Sequence, residues 1–287
     1  MSNPRVSILM LTYNRPQMIG RAITSALEQT LSDWELIVVQ DGGDSRTGEL
    51  VNEWVAKDRR IRYFRRGVSG SIAEASNFGL AQARGEFVAI LDDDDWWAAP
   101  NKLARQVDFL TQNLEYTGVG GAYIVVDQDG QQRGRFRKPG EDEAIRSSAL
   151  MANPLANSTA MFRRVIAGQP ALYDATLRQF ADWDFWLTLG SQGKLCNFPE
   201  DLAYYALWPG GSSFRHIRAN ARAGLQIVNK HRGHYRGYAI ALSGSLLYLG
   251  YAYLPGWFQR FSYGWLSSVK KALAGVKTDQ PDSVSGA

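Results

Sequence analysis

The stretch Phe87-Val88-Ala89-Ile90-Leu91-Asp92-Asp93-Asp94-Asp95-Trp96-Trp97 runs from an apolar strand through four successive aspartates into a tryptophan pair. Five consecutive apolar residues suit a strand buried on both faces, which is the habit of parallel sheets. Adjacent carboxylates repel, and in a partly dry setting they stay ionised only beside a compensating cation. Oxygen-only ligands at a strand end suit Mg²⁺ or Mn²⁺, hard ions that bridge protein carboxylates to substrate phosphates. The bland alternative is a charged surface turn after a strand. The meeting of an apolar pattern and a charge pattern at one point favours the metal and phosphate reading, and with it an enzyme acting on a phosphorylated donor.

Upstream, strand and helix patterns alternate. Val6–Leu11 reads as a buried strand, and 16–29 as a helix with Pro16 near its start and Ile19, Ala22, Ile23, Ala26 and Leu27 on one face. Leu36–Val39 reads as a second strand, ending in the turn Gln40-Asp41-Gly42-Gly43-Asp44. A helix over 47–56, a strand at 61–64 and a helix over 71–83 complete the pattern before Gly85. Continuous apolar strands joined by helices predict a parallel sheet covered on both faces, with ligands beyond the carboxyl ends of the strands. Three such ends are polar, Thr12-Tyr13-Asn14, Asp41 and Asp92–Asp95, and they are expected side by side. Downstream, 102–110 reads as a helix, 118–126 and 132–136 as a hairpin around Asp129-Gly130, and 158–162 as a strand. Phe180-Ala181-Asp182-Trp183-Asp184-Phe185-Trp186-Leu187 opens a helix with two acids among aromatics.

Several segments together resemble the family 2 inverting glycosyltransferases of GT-A fold: 6–16, Gln29-Thr30, 33–42, Ala75-Ser76-Asn77, 85–89, the aspartate run, Lys102-Leu103, 158–164 and 182–187. The resemblance runs from about Val6 to Ser213 and rests on order and spacing, since each segment alone is weak. It implies an α/β fold of GT-A type, a Rossmann-like, mostly parallel sheet with helices on both faces. It also implies a nucleotide-binding site made of Thr12, Tyr13, Asn14, Arg15, Asp41, Asn77, Asp92 and Asp93. Tyr13 is similar to the residue that lies against the base, where stacking is a source of affinity. Asp41 looks like the acceptor of a pyrimidine imide N–H, which favours a UDP- or dTDP-sugar. Asp92 and Asp94 match the outer residues of a DxD motif, Asp92 toward the ribose and Asp94 on Mn²⁺ or Mg²⁺, although four identical residues leave the register open to Asp93 or Asp95. Asp182 falls on the family's catalytic base.

The chain departs from the family pattern at Gln40, Ser76 and Ala181, and carries one extra residue in 96–100. Loss of a basic residue at Ser76 removes one pyrophosphate contact that Arg15 could replace. Asp182 also has a structural reading, as a helix N-cap. Trp96, Trp97, Asp95 and Asp184 are candidates for contact with sugar or acceptor, with core packing an equal alternative for one tryptophan, and cation pairing for Asp184. His216 reads either as a diphosphate or acceptor contact or as a surface histidine.

Inverting transfer needs a stabilised leaving group and one general base, unlike glycoside hydrolysis, which needs an acid partner too. The expected reaction is transfer to a hydroxyl of a glycan or lipid-linked acceptor, as in cell-surface polysaccharide assembly. The rivals are a sugar-nucleotide nucleotidyltransferase, which would release pyrophosphate, and a non-catalytic nucleotide-sugar-binding protein. No glycine-rich, lysine-bearing loop follows the first strand, which disfavours the former.

Length and composition fit this reading. The chain has 287 residues, 45% hydrophobic, with a single cysteine, Cys196, that excludes an intrachain disulfide and suits a reducing compartment. No signal peptide is recognisable at the N-terminus, so a cytoplasmic protein is expected. Charge is divided unevenly: residues 1–201 hold 26 acids against 22 Lys and Arg, whereas 202–278 hold ten Lys and Arg and no acid. Boundaries are expected at 1–213 for the GT-A domain, with halves 1–100 and 101–213, and 214–287 for a basic, aromatic, helical extension. Within it, 237–258 is uncharged for 22 residues but carries four glycines and Pro255. An interfacial element on an anionic membrane surface is favoured over a packed helix pair or a true span. No nucleic-acid motif accompanies the cations.

Overall fold

The computed structural model describes residues 3–207, 216–255, 259 and 275–279. The first strands and helices alternate as β1 (Val6–Thr12), α1 (Ile19–Leu27), β2 (Trp34–Asp41), α2 (Ser45–Lys57), β3 (Ile61–Arg66), α3 (Ile72–Gln82) and β4 (Phe87–Ile90). The chain continues with β5 (Trp96–Trp97), α4 (Lys102–Gln112), β6 (Tyr116–Val126), β7 (Gln132–Arg137), α5 (Asp142–Ser148) and a 3₁₀ turn at Asn157–Thr159. It then forms β8 (Met161–Arg163), a two-stranded hairpin of β9 (Val165–Ile166) and β10 (Gln169–Pro170), α6 (Ala181–Gln192), β11 (Lys194–Ala206), α7 (Ile217–Lys230), α8 (Tyr238–Tyr251) and β12 (Lys277–Asp279).

The main sheet runs β12-β7-β6-β8-β4-β1-β2-β3, with β11 along β6 and β5 on β11. Its first part, β3-β2-β1-β4, is wholly parallel. Beyond β4 the sheet is mixed, because β8 pairs antiparallel with both β4 and β6, and β7 returns along β6 as a hairpin. The sheet is thus mostly parallel, as expected, since β11 also runs parallel to β6 in the second half; β7 is antiparallel because the short turn after Val126 forces reversal, which a parallel crossover of a dozen or more residues would not.

Alternate residues of the strands feed two cores. Val6, Ile8 and Met10 pack with α1 and α4, while Leu9, Ile37 and Val39 pack with α3 and α6. Helices therefore cover both faces, as the unbroken apolar runs require. At the amino ends of the strands, Ser7 Oγ donates to Glu35 Oε1 at 2.8 Å, Arg62 Nη1 donates to Glu35 Oε2 at 2.6 Å, and the amide of Gly85 donates to Ser7 Oγ at 2.9 Å. A Cβ at position 85 would come within 2.5 Å of the Ser7 nitrogen, so only glycine lets β4 enter beside β1.

One boundary differs from expectation, and β11 and α5 have features of their own. Pro16 lies in a turn before α1, whose first residue is Ile19. The strand at Lys194 continues to Ala206, because register shifts between Phe198 and Ala203 absorb Pro199 and let β11 follow β6 to its end. The helix α5 carries no long apolar stripe; only Ile145 is buried from it.

Lys102, at the start of α4, is wholly buried. Its Nζ donates to Gln106 Oε1 at 2.8 Å and lies 4.3 Å from the centre of the Trp97 ring. No carboxylate pairs with it among the described residues, and burial holds its pKa well below the usual lysine value. A lysine with a depressed folded pKa costs stability as pH falls below its unfolded pKa of about 10.4. The stability of Lys102→Met relative to wild type is therefore expected to grow as pH falls below about 10, by up to about 1.4 kcal/mol per pH unit. Parallel denaturant curves for the two proteins in urea would contradict this.

Two helices follow the 208–215 segment. α7 docks through Asp184 of α6, whose carboxylate is buried with His231 Nε2 and Lys230 Nζ each 2.8 Å away. α8 buries Ala241, and Ala252 just beyond it, against α7, yet leaves Ile240, Leu246 and Leu247 exposed. Fourteen residues make a helix of about 21 Å, short of the roughly 30 Å hydrocarbon layer. Among the described residues no helix is long and apolar enough to cross a membrane. Trp257, Phe258, Arg260, Tyr263, Trp265, Lys270 and Lys271 of the expected interfacial set lie outside the described residues.

Candidate active site

The parallel order β4-β1-β2 brings the three polar strand ends together. Thr12 pairs in register with Gln40, and Leu9 with Ile90, so the segments after β1, β2 and β4 emerge on one edge of the sheet. Tyr13 presents an aromatic ring that is 53% exposed. Asn14 adopts a left-handed conformation with φ 52°, and its Oδ1 accepts the amide of Asp44 at 2.7 Å. Gly43, with φ 80°, faces that oxygen; a Cβ there would meet it at 2.2 Å. An asparagine tolerating positive φ and a glycine without a side chain thus clamp the β1 and β2 loops together.

Asp41 ends β2. Its Oδ1 accepts from Arg66 Nη1 at 2.6 Å, and its Oδ2 from Ser69 Oγ at 3.1 Å and the Gly70 amide at 3.0 Å. A carboxylate offers about four acceptor positions, so one remains for a ligand N–H. Gln40, where the family often has a second acid, instead shapes the turn: Nε2 donates to the Gly42 and Asp44 carbonyls at 2.8 and 2.5 Å, and Oε1 accepts from Tyr63 at 2.6 Å.

The four aspartates separate into distinct environments. Asp95 is buried and acts as a staple, its Oδ2 accepting from Ser158 Oγ at 2.5 Å and its Oδ1 from the Ala206 amide at 3.1 Å. Each oxygen thus has a protein donor, and the buried side chain ties the acidic loop to Ser158 and to the end of β11. Asp93 is also buried; Arg15 Nη1 donates to its Oδ1 at 2.9 Å, while its Oδ2 is buried without a partner. Asp94 lies nearer the surface and accepts from the same Arg15 nitrogen at 2.6 Å. Burial pushes Asp93 up to about 6, and burial together with Asp94, Asp93 and Asp182 pushes Asp92 up as well. One guanidinium thus serves several crowded carboxylates, an arrangement that a further cation would relieve.

The donor set is hard oxygen throughout, and the orphaned Asp93 Oδ2 lies within it. Among the described residues no three acidic, imidazole or thiol groups converge into a ready cage. That pattern suits Mg²⁺ or Mn²⁺, which are held by one or two carboxylates with phosphates and water completing the sphere, and does not suit a structural zinc site. The residues therefore fit an ion shared with a ligand.

Asp182 comes from a distant part of the chain, inside the first turn of α6. The N-cap is Phe180, in a left-handed conformation with φ 57°, so the capping reading of Asp182 does not hold. Asn153 Nδ2 donates to Asp182 Oδ2 at 2.7 Å. Burial raises the pKa of Asp182, against the lowering influence of the Trp183 amide, Lys138 and Asn153. Its charge opposes ionisation of Asp92, and both carboxylates act on the Tyr173 hydroxyl, which places the acidic loop and Asp182 around one space.

The remaining candidates divide. Trp97 is core: it is buried, and its Nε1 donates to the Ser158 carbonyl at 2.7 Å. Trp96 is half-buried, stacked on Tyr204 at 5.1 Å and covered by Arg21 at 4.3 Å. Asn77 spends both ends of its amide on the Tyr173 backbone, at 2.9 and 2.8 Å, and so clamps α3 to the 171–173 segment. Asp184 is buried in its His231 and Lys230 pairs, the cation-pairing alternative. His216 is exposed at the start of α7.

A family model described as Glycosyl transferase family 2 matches residues 7–168. The chain belongs to this family. As a family 2 glycosyltransferase it is 30% identical over 208 residues to the Bacillus subtilis "Putative teichuronic acid biosynthesis glycosyltransferase TuaG", covering 71% of this chain and 79% of that one. It is 34% identical over 132 residues to a Haemophilus influenzae uncharacterised glycosyltransferase, covering 46% of this chain. The chain spans 52%, 66% and 28% of the length of three Haemophilus and Rickettsia relatives, so it aligns with only part of each. Among solved structures, the Pyrobaculum calidifontis mannosyltransferase PcManGT in complex with GDP-Man and Mn²⁺ aligns over 96% of this chain and 86% of its own, with TM-score 0.64 and 17% identity. The Staphylococcus aureus TarS 1–349 complex with UDP-GlcNAc gives TM-score 0.64, 15% identity and coverage of 93% and 77%. These likenesses show the GT-A fold.

The matched family segment ends before Asp182. Four contributors escaped sequence reasoning: Ser158, Asn153, Lys138 and Tyr173. Ser158 stood within a recognised segment; the other three sit in irregular stretches whose side-chain direction no periodicity reports.

Proposed function

We propose that this family 2 enzyme transfers a sugar, with inversion, from a pyrimidine nucleoside diphosphate sugar to a hydroxyl of a glycan or lipid-linked acceptor in cell-surface polysaccharide assembly. The observation that carries the reading is the half-buried carboxylate of Asp182, held by Asn153, which shares one space with Asp92 and opposes its ionisation. Tyr13 and Asp41 would take the base, with Asp92 toward the ribose. Asp94, with Asp92 or Asp93, would hold Mn²⁺ or Mg²⁺, which when bound neutralises the diphosphate. Arg15 would turn from Asp94 toward the phosphates. Asp182 would accept the hydroxyl proton as the acceptor oxygen bonds the anomeric carbon and the bond to the diphosphate breaks, its electron pair leaving with the nucleotide.

The names of the similar proteins support this class without choosing the donor. TuaG is named for teichuronic acid biosynthesis, TarS was solved with UDP-GlcNAc, and PcManGT with GDP-Man and Mn²⁺. Incubation with a panel of nucleotide sugars, with and without Mn²⁺, tests the reading. Release of a nucleoside diphosphate is expected; release of pyrophosphate from a nucleoside triphosphate, or binding without turnover of any donor, would contradict it.

The reading includes a place of action, the inner face of a cytoplasmic membrane. Ile240 and Leu247 stand seven residues apart on the exposed side of α8, Leu247 being 75% exposed, and Leu254 is exposed just beyond the helix. Tyr253, just beyond the helix, is held by Arg222 at 2.7 Å and covered by Arg218 at 4.8 Å, which sets two cations beside the apolar side. Such a surface suits the headgroup region of an anionic bilayer. The protein is expected to cosediment with phosphatidylglycerol vesicles at low salt, and Leu247→Glu to weaken this about tenfold or more. Equal partition of wild type and variant into the supernatant would contradict the membrane assignment while leaving the sugar transfer untouched.

A further inference from the structure

Asp182 is held by a feature that the proposed chemistry has not yet used. Asn153 follows α5 on an irregular segment, and its Nδ2 donates to Asp182 Oδ2 at 2.7 Å. The segment is fixed from two sides. Trp183 Nε1 donates to the Ala149 carbonyl at 2.8 Å, and Asn197 Nδ2 donates to the Pro139 and Pro154 carbonyls at 2.8 and 3.0 Å. Lys138, which precedes Pro139, donates from Nζ to the Asn153 carbonyl at 2.5 Å. The buried Asn197 thus joins the two strips of chain that carry Lys138 and Asn153.

We propose that Asn153 and Lys138 are positioning residues for the general base, with Asn153 reserving Oδ2 of Asp182 as an acceptor so that the proton of the incoming hydroxyl is delivered to Oδ1. The inference rests on Asp182 being that base. An amide N–H can only donate, and a protonated Oδ2 is a poorer acceptor than a carboxylate oxygen, so a proton there would weaken the contact. Oδ1 is then the favoured site for the proton. Holding one oxygen also fixes the rotation of the carboxylate about its last bond, which a reacting group needs to within about 10–20°.

Three charged or titratable groups face Asp182 from the neighbouring elements. Lys138, beyond β7, favours the ionised form, and Asp92, beyond β4, opposes it. Tyr173, before α6, keeps its proton, since burial raises it. The amide of Trp183 within α6 also favours the carboxylate. Removal of Asn153 or Lys138 should therefore raise the pH at which transfer is lost on acidification.

The test is the pH dependence of kcat for wild type, Asn153→Ala, Asn153→Ser and Lys138→Met, each with its melting temperature and nucleoside diphosphate affinity. The acid limb should move up by about 1 pH unit in Asn153→Ala, because a hydrogen bond to a charged group is lost. Lys138→Met should move it in the same direction, and donor affinity should stay within about threefold. Asn153→Ser, which keeps a short donor, should fall between wild type and Asn153→Ala. Should Asn153→Ala fail to fold, Asn153→Ser and Lys138→Met carry the same comparison. Acid limbs that coincide with wild type would overturn the proposal, even if kcat falls, because misplacement alone lowers the plateau without moving the limb. Full transfer by Asp182→Asn would instead overturn the base assignment, and so separates the two failures.

Discussion

Asp182→Asn is expected to lower sugar transfer by about 10²–10⁴-fold while leaving nucleoside diphosphate binding within about threefold of wild type. The substitution keeps the size of the side chain and its place in the first turn of α6 but removes its capacity to take a proton. Asn153 would still find an oxygen to donate to, so the local hydrogen bond at 2.7 Å can survive. The fold should not suffer, because an amide relieves rather than adds burial cost at a position where burial already raises the carboxyl's pKa. Transfer measured by nucleoside diphosphate release, beside calorimetric titration of the same nucleotide, separates the two effects. Near-normal turnover in the variant would remove Asp182 from the proton transfer altogether.

Asp94→Ala should be equally severe by another route. Asp94 is the more accessible carboxylate of the pair that Arg15 bridges, at 2.6 Å against 2.9 Å for Asp93. It is the carboxylate best placed to meet both an ion and a diphosphate, since Asp93 and Asp95 are buried. Removing one charged ligand costs about 10–100-fold in affinity. The variant is expected to lose Mn²⁺-supported nucleotide binding by that factor, read from the free Mn²⁺ signal in electron paramagnetic resonance as well as from calorimetry. Asp95→Asn should differ in kind. Its carboxylate closes the contact between Ser158 and the Ala206 amide, so the loss should appear as a lower melting temperature rather than a weaker ion. Nucleotide affinity in Asp94→Ala equal to wild type in the presence of Mn²⁺ would contradict the ligand assignment.

Much of the fold was legible in the sequence because its first half obeys one rule. β1, β2 and β4 read as mostly apolar runs, and α1 shows one apolar face, so periodicity places most of the parallel layer, whereas β3 carries Arg62, Arg65 and Arg66 at the sheet edge. The polar ends of β1, β2 and β4 then had to share an edge. The second half obeys no such rule. The antiparallel return of β7 and β8 depends on turn lengths and on which edges remain open, and β11 passes through Pro199 by a register shift that no local pattern announces.

Within the site the aspartate run identified the place but not the division of labour. Four identical residues have identical propensities, and their fates differ only through partners distant in sequence: Ser158 and Ala206 for Asp95, and Arg15 for Asp93 and Asp94. Asp182 and Asp184 likewise stand two residues apart, yet one meets Asn153 and the other Lys230 and His231. Both acids lie in the first turn of α6, where about 100° per residue turns neighbouring side chains to different sides. Asn153 and Lys138 sit on loop segments and were invisible until tertiary structure set them beside α6.

The most direct test of the account is the anomeric configuration of sugar released when the enzyme slowly hydrolyses a donor that shifts its melting temperature, followed by proton NMR before mutarotation. The proposed single base at Asp182, apart from the carboxylates proposed to hold the ion and diphosphate, predicts that the first-formed sugar has the configuration opposite to the donor. A first-formed sugar that keeps the donor configuration would contradict the account, for it would require a nucleophile on the enzyme or attack from the leaving-group side.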